Sequence, residues 1–493
     1  MSVPFENIPE NIRVPLFHPE FRSGGTPFVN NPRLLLIGQK LSTGSATAGV
    51  PIMVTDDAVS GLGGANSMLA QMHRVARKNA PLQEIWWLPV DDLTGGVKAT
   101  GTITVAGTPV SQAGVASVYI AGRRVRVSVL TTDAAADVAT NLAAAINAAS
   151  DLPVTAAAVD EVVTLTARHK GTLGNFIEID LGNVIEEGLL GQDLFTIVAM
   201  SSGTGDPDIE TALDALGDDE FDWISLPYSG ATELGLVSDV LNDVSGRWSW
   251  IKQLYGHATT VSTATVSTLA AFGLTRNNQH ESIFPCRKFR SAPWETCAAV
   301  GSQIARRKSL PPELSRPLHT IKLEGIKGPL NKVDILSKVS LQTFYFSGIS
   351  GYHVRRDGSV CIDRLITTYK TNAWGDPDWT YLDIETMAQS MYYVRSLRTE
   401  VTTKHGRQAL AQSNPANLPH IVTPADLEAT LDHNYLKQID LGVVENYDAF
   451  RANRRVEINQ LDPNRADAFV RIDHVNQLRI FAALIENNLQ LES

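Results

Sequence analysis

One interruption does most to limit what this chain can fold into. From Arg33 onward, short apolar runs alternate with helical periodicities; the alternation stops at Gly95-Gly96 and resumes after Asp206-Pro207. Residues 33–38 form a continuous apolar run ending in glycine, which predicts a buried strand. Met68, Leu69, Met72, Val75 and Ala76 recur at helical spacing, and residues 85–90 predict a second strand. Strand, helix and strand with short connections make the βαβ unit of a parallel sheet. Beyond Pro207 the spacing predicts helices over 209–216, 233–244, 266–272 and 294–307, with strands over 221–227, 248–255 and 280–284. The expected core is therefore one α/β layer, split by an insertion.

The inserted stretch, 95–203, has a different composition. It is rich in Val, Thr and Gly and has no tryptophan, although the chain has 8. Period-two alternation predicts strands over 102–105, 117–120, 124–130 and 162–166. An alanine-rich helix is predicted over 133–149, with Thr131 or Thr132 before it as cap. Its glycine-rich ends, Gly95-Gly96 and Gly203-Thr204-Gly205, suit domain insertion. The expectation is an inserted α+β surface domain that projects outward and is dispensable for core folding.

Prolines 311, 312, 317 and 329 mark a boundary over 308–331. A helix is predicted over 333–344. Asp357-Gly358 joins two strand-like runs, the strongest short hairpin signal. A long helix is predicted over 382–404. Another starts at Thr423-Pro424-Ala425-Asp426, with a capping oxygen, an early proline and an acid near the positive end.

Both termini read as arms. Residues 1–32 hold six prolines among Phe5, Ile8, Ile12, Val14, Leu16, Phe17 and Phe21, too apolar for a free tail. Near the other end, Val470, Ile472, Leu478, Ile480 and Leu484 alternate, with Phe481 and Ile485 opposite, which predicts a strand over 468–485. The expected organisation is an arm (1–32), a first α/β part (33–94), the insert (95–203), a second α/β part (204–310), a mixed α+β C-terminal domain (311–467) and a C-terminal strand arm (468–493). Two apolar arms are hard to satisfy within one compact monomer. Ile8, Ile12, Val14, Leu16, Val470, Ile472, Leu478, Ile480 and Leu484 are therefore the candidate subunit-interface residues.

The search for chemistry yields near misses. The chain has 42 basic and 53 acidic residues and a net charge of -11, against a dedicated nucleic-acid binder. Cys286, Cys297 and Cys361 form no C-x-x-C pair, which points to a reducing compartment. The N-terminal text does not read as a signal peptide, and no run approaches the ~20 apolar residues of a membrane span. Gly348-Ile349-Ser350-Gly351-Tyr352 lacks the last glycine of a nucleophile elbow. Gly61 to Asn66 fails the dinucleotide fingerprint, and Gly325 to Lys332 fails the P-loop. His280-Glu281 has Phe284 where a zinc helix would go on to its second histidine, and Asp376 and Asp378 read as a turn rather than a calcium site. No catalytic, cofactor-binding or metal-binding residue is assigned, and no enzyme activity is expected.

Several segments resemble the contractile tail sheath proteins of Mu-like phages. The most specific is Asp357 to Arg364 followed by Leu365-Ile366-Thr367-Thr368-Tyr369. Asp378 to Asp383 and Tyr392-Tyr393-Val394-Arg395 come next. Pro153 to Ala156, Leu165 to Asn175, Ile12 to Pro15 and Leu35 to Gln39 extend the likeness over essentially the whole chain. The resemblance implies a split, sheath-type α/β core and a structural subunit stacked as six-fold rings around a tail tube. It implies baseplate, tube and tail terminator proteins as partners, and no cofactor, nucleic acid or membrane insertion. It also implies assembly in the host cytoplasm and residence in the virion tail. The sheath of a phage-tail-like bacteriocin or a secretion system is the alternative. An α/β serine hydrolase using Ser350 and a glycan-binding adhesin using the insert are weaker alternatives.

Overall fold

The computed structural model describes residues 32–106, 113–183, 187–188 and 190–487. The strand Leu34–Gln39 is buried at all six positions, as a central strand covered on both faces must be. It lies in a six-stranded sheet, in the order 281–285, 257–262, 223–225, 34–39, 85–90 and 52–53. All neighbours are parallel except the last pair. The sheet thus takes strands from both sides of the insertion. The helices Met68–Asn79 and Pro293–Arg307 pack on each other and on this sheet. Their approach is close: a Cβ at Gly301 would stand 1.9 Å from Ser225 Oγ. Trp294 Nε1 donates to Gln71 Oε1 at 3.1 Å, and Gln303 Nε2 to Asn79 Oδ1 at 2.9 Å, so two polar bonds cross between the helices.

The strand expected over 248–255 is not one. Those residues form turns in which Trp248 stacks edge-on against Tyr255 and donates from Nε1 to Gly256 O at 2.8 Å. The sheet strand is the next segment, His257–Ser262, buried throughout. Aromatic content marked the wrong run, because the threonines of the true strand bury without an apolar pattern.

The insert contains two antiparallel sheets. One takes 195–201, 98–105, 162–170 and 154–159 in that order; the other takes 123–129, 114–120 and 179–180. The helix Ala135–Ala148 packs against them. The strands Val154–Val159, Ile179–Asp180 and Phe195–Ser201 carried no clear alternation and were not among those expected.

The insert is also docked. Arg123 pairs with Glu295 at 2.5 Å and Asp151 at 2.8 Å, and Arg290 grips Asp180 through two bonds of 2.8 Å. His169 accepts from Met68 N at 3.0 Å, which leaves Nδ1 as the donor to Asp92 at 2.9 Å. Excision of the insert is therefore expected to carry a measurable cost in stability. Replacing residues 96–203 with a Gly/Ser linker leaves Glu295, whose side chain is 4% exposed, without its guanidinium. The excised core is expected to unfold at a lower midpoint, and Glu295→Gln within it to recover part of the loss. An unchanged midpoint on excision would show the docking to be energetically idle.

In the C-terminal block, Lys322–Lys327, Ser359–Arg364 and Gly351–Val354 form an antiparallel sheet. Its first strand lies inside the proline-rich stretch read as a boundary. Gly358 turns the hairpin at φ 81°, and Asp357 Oδ1 accepts from Ser359 N at 3.0 Å. The helix expected from 333 begins at Lys338, where Ser337 accepts from Ser340 N. The helices Ile384–His405 and Pro424–Asp440 follow, the second opened by a reciprocal Thr423–Asp426 capping box. The block joins the core sheet through Ser350 N to Ile283 O at 3.0 Å, Thr368 N to Glu281 O at 3.1 Å, and an Arg395–Asp222 ion pair.

Candidate functional site

Ile8, Ile12, Val14 and Leu16 lie outside the described residues. The other arm departs from expectation. The strand predicted over 468–485 shrinks to Ala466–Phe469, paired antiparallel with Arg455–Ile458 as a two-stranded hairpin. Beyond Phe469 the segment makes one isolated antiparallel bridge, His474 to Val444, and among the described residues no strand runs alongside the alternating residues.

Residues 470–475 are nevertheless held to the body. Val470 and Ile472 pack, partly buried, against the core. Glu445 N donates to Asp473 O at 2.8 Å, Val475 N to Val443 O at 3.1 Å, and Gln389 Nε2 to Val475 O at 3.0 Å. Four residues later, Arg479 reaches Glu385 at 2.5 Å and Asp383 at 3.1 Å. Glu385 has no exposed side-chain surface and also accepts from Leu318 N at 2.7 Å. Lys308 stands 4.0 Å from the same carboxylate, and burial brings its ammonium down to about 8.

On either side of Arg479 the apolar side chains of the tail are bare. Leu478, Ile480, Phe481, Leu484 and Ile485 are 78%, 80%, 85%, 98% and 78% exposed. Leu478 and Ile480 wall a cleft of about 500 Å³ with Phe346, Trp379, Tyr345 and His319. The nine residues expected at an interface thus divide: four are undescribed, Val470 and Ile472 are housed in the body, and Leu478, Ile480 and Leu484 face outward. Sequence reasoning missed Arg479 and the 455–469 hairpin. A single charge inside the run Leu478-Arg479-Ile480-Phe481 was the available signal for the first.

Among the described residues no further strand joins either edge of the hairpin, and on one edge Val456 N is met only by the Glu428 side chain at 3.3 Å. Two strands alone are marginal in water, and free edges invite pairing with another chain. The whole chain is 32% identical over 500 residues, 99% of each, to the Mu-like prophage FluMu tail sheath protein of Haemophilus influenzae. The chain belongs to the tail sheath proteins of Mu-like phages. No family model matches this sheath chain. Among solved structures, a sheath tail protein of Desulfitobacterium hafniense matches with a TM-score of 0.48 at 9% identity, over 93% of this chain and 100% of that one. One from Listeria innocua matches with 0.46 at 12% identity, over 91% and 96%. The family assignment rests on the sequence relationship.

The near-miss motifs of the sheath chain have structural employment. Ser350 is fully buried, and its Oγ donates to Ile366 O and accepts from Ile366 N, both at 3.1 Å. Asp378 accepts from Tyr369 Oη at 2.6 Å and from Thr380 N at 2.9 Å, a turn arrangement. Glu281 pairs with Arg276 at 2.7 Å. Among the described residues, no group of three or more His, Cys, Asp or Glu is placed to hold a metal, and no helix is long and apolar enough to cross a membrane.

Two buried histidines contribute to acid sensitivity. Burial lowers His257, which faces Ser282 Oγ and His280, to about 3. Burial lowers His474, beneath the tail and 3.2 Å from Ser390 Oγ, to about 4. Both folded values lie below the unfolded value of 6.5. As pH falls, the unfolded chain takes up these protons first, so stability present above 6.5 is lost as pH falls through 4 toward 3. At about 1.4 kcal/mol per pKa unit, the loss is on the order of several kcal/mol. The unfolding midpoint is expected to hold above neutrality and drop steeply below it. A His474→Asn variant should show a shallower slope; a slope equal to the parent's would remove His474 from the account.

Proposed function

We propose that this chain is the polymerising subunit of a phage contractile tail sheath. In this reading, subunits stack as hexameric rings around a tail tube, between baseplate and tail terminator, after assembly in the host cytoplasm. Contraction drives the tube through the host envelope for genome ejection, and residues 95–203 face outward. The observation that carries the reading is the bare apolar tail beyond Arg479 on a chain that also offers a hairpin that no further described strand joins. A segment without a partner and an edge without a strand partner complement each other between copies. Head-to-tail donation that does not close within a ring propagates as a helix. A link of this kind survives repacking, because its main-chain bonds persist while neighbouring linkers flex.

The same chemistry serves a phage-tail-like bacteriocin or a secretion-system sheath, and genome neighbours such as capsid genes separate these. No residue is assigned to nucleotide binding, so contraction draws on a metastable extended lattice whose subunits move as near-rigid bodies. Negative-stain images of the purified chain are expected to show rings or filaments. Mild acid should shorten extended sheaths irreversibly without ATP. A chain that stays monomeric at every concentration, or a strict nucleotide requirement, would overturn the proposal.

A further inference from the structure

We propose that Arg479 is the positioning residue of the donated tail, the pin that sets where the anchored chain ends and the free strand begins. The inference rests on the reading of the tail as a donor. Upstream, residues 473 and 475 are hydrogen-bonded to the body; downstream, residues 480–487 make no hydrogen bond to another described residue. The change takes place at Arg479. Its guanidinium spans two carboxylates, Asp383 just before and Glu385 within the first turn of the helix Ile384–His405. Glu385 is wholly buried, and Asp383 also takes a two-bond grip from Arg364 at 3.0 and 2.9 Å.

The pin reaches the core. Glu385 faces Lys308, which follows the last turn of the helix Pro293–Arg307 packed on the central sheet. Lys308 in turn donates to Glu313 O at 2.7 Å and Leu314 O at 3.1 Å. A pull on the free strand therefore meets Arg479 first and passes into the sheet's own helix, before it reaches the bonds at 473–475. A fixed exit point also fixes register. Side chains alternate along a strand, so a slip of one residue would turn every apolar group of the donor to the wrong face. Both acids are met by one guanidinium nitrogen, Nη2, so a lysine at this position keeps a charge but has to reproduce the reach of the longer side chain.

The test uses the full chain before polymerisation, with hydrogen exchange read in peptides spanning 470–478 and in the central strand 34–39. Arg479→Ala should speed exchange in the tail peptides by about tenfold or more and leave the central strand protected. Arg479→Lys should fall between. Sheaths grown from Arg479→Ala should show mixed helical pitch where the parent shows one. Unchanged tail exchange or a single parental pitch overturns the pin. If Arg479→Ala also unprotects the central strand, Arg479→Lys decides: tail exchange must still rise with the sheet intact, and parental exchange overturns the pin. Removing residues 480–493 separates the two claims. It should keep 470–478 protected and abolish sheaths; sheaths that still form would overturn the donor reading, while the exchange measurement judges Arg479 by itself.

Discussion

Deleting residues 480–493 is expected to yield a folded, soluble chain that no longer polymerises. The cut removes Ile480, Phe481, Leu484 and Ile485, each at least 78% exposed, and, among the described residues, no hydrogen bond of the body. The isolated subunit therefore has almost nothing to lose. The assembly loses the burial of four large apolar side chains per link, worth about 1.5–3 kcal/mol each before the ordering of the strand is subtracted. Repeated along a tube, a deficit of that size is enough to prevent growth. The position of the cut matters. Removing residues from 468 onward would also take Phe469 from the hairpin, Val470 and Ile472 from the core and the bonds at 473 and 475, and that variant should be visibly destabilised. Circular dichroism and sedimentation on both truncations separate assembly from folding. An unfolded 480–493 deletion would mean that the tail closes its own subunit, and normal filaments from it would refute the linking role.

Arg395→Ala is expected to destabilise the subunit by about 3–5 kcal/mol, the usual cost of stranding a buried charge. Arg395 projects from the helix Ile384–His405 and pairs with Asp222, just before the strand Trp223–Ser225; the two side chains are 7% and 4% exposed. Asp222 Oδ2 also accepts from Arg33 N at 2.8 Å, at the entry to the central strand. One carboxylate thus joins the C-terminal block to both halves of the split sheet, and that gives Arg395 within Tyr392-Tyr393-Val394-Arg395 a structural task. Arg395→Lys should recover only part of the loss, since it keeps the charge but not the fork that also reaches Tyr255 O at 3.3 Å. Urea unfolding measures both. A cost within experimental error for the alanine variant would show that water reaches Asp222 freely.

Features settled within a few residues were legible in the sequence. The apolar run at 34–39, the Asp357-Gly358 turn and the Thr423–Asp426 capping box formed where expected, because turn and cap chemistry closes over three or four positions. The change of sheet between the strands 85–90 and 98–105 coincides with the change of composition after 94, since composition changes with the neighbours a strand must face. The strands His257–Ser262 and Lys322–Lys327 were not legible, because one is buried through threonines and the other sits among prolines and lysines; their partners lie elsewhere in the chain. The tail shows the boundary between the two kinds of information most plainly. Alternation from Val470 to Leu484 raised by itself the expectation that this segment pairs as a strand. Only the tertiary structure decided that Val470 and Ile472 are already housed, that 480–485 are bare, and that Arg479 divides them. The physical reason is that pairing and burial are properties of two surfaces, and the acids that hold Arg479, Asp383 and Glu385, lie 94 or more residues away along the chain.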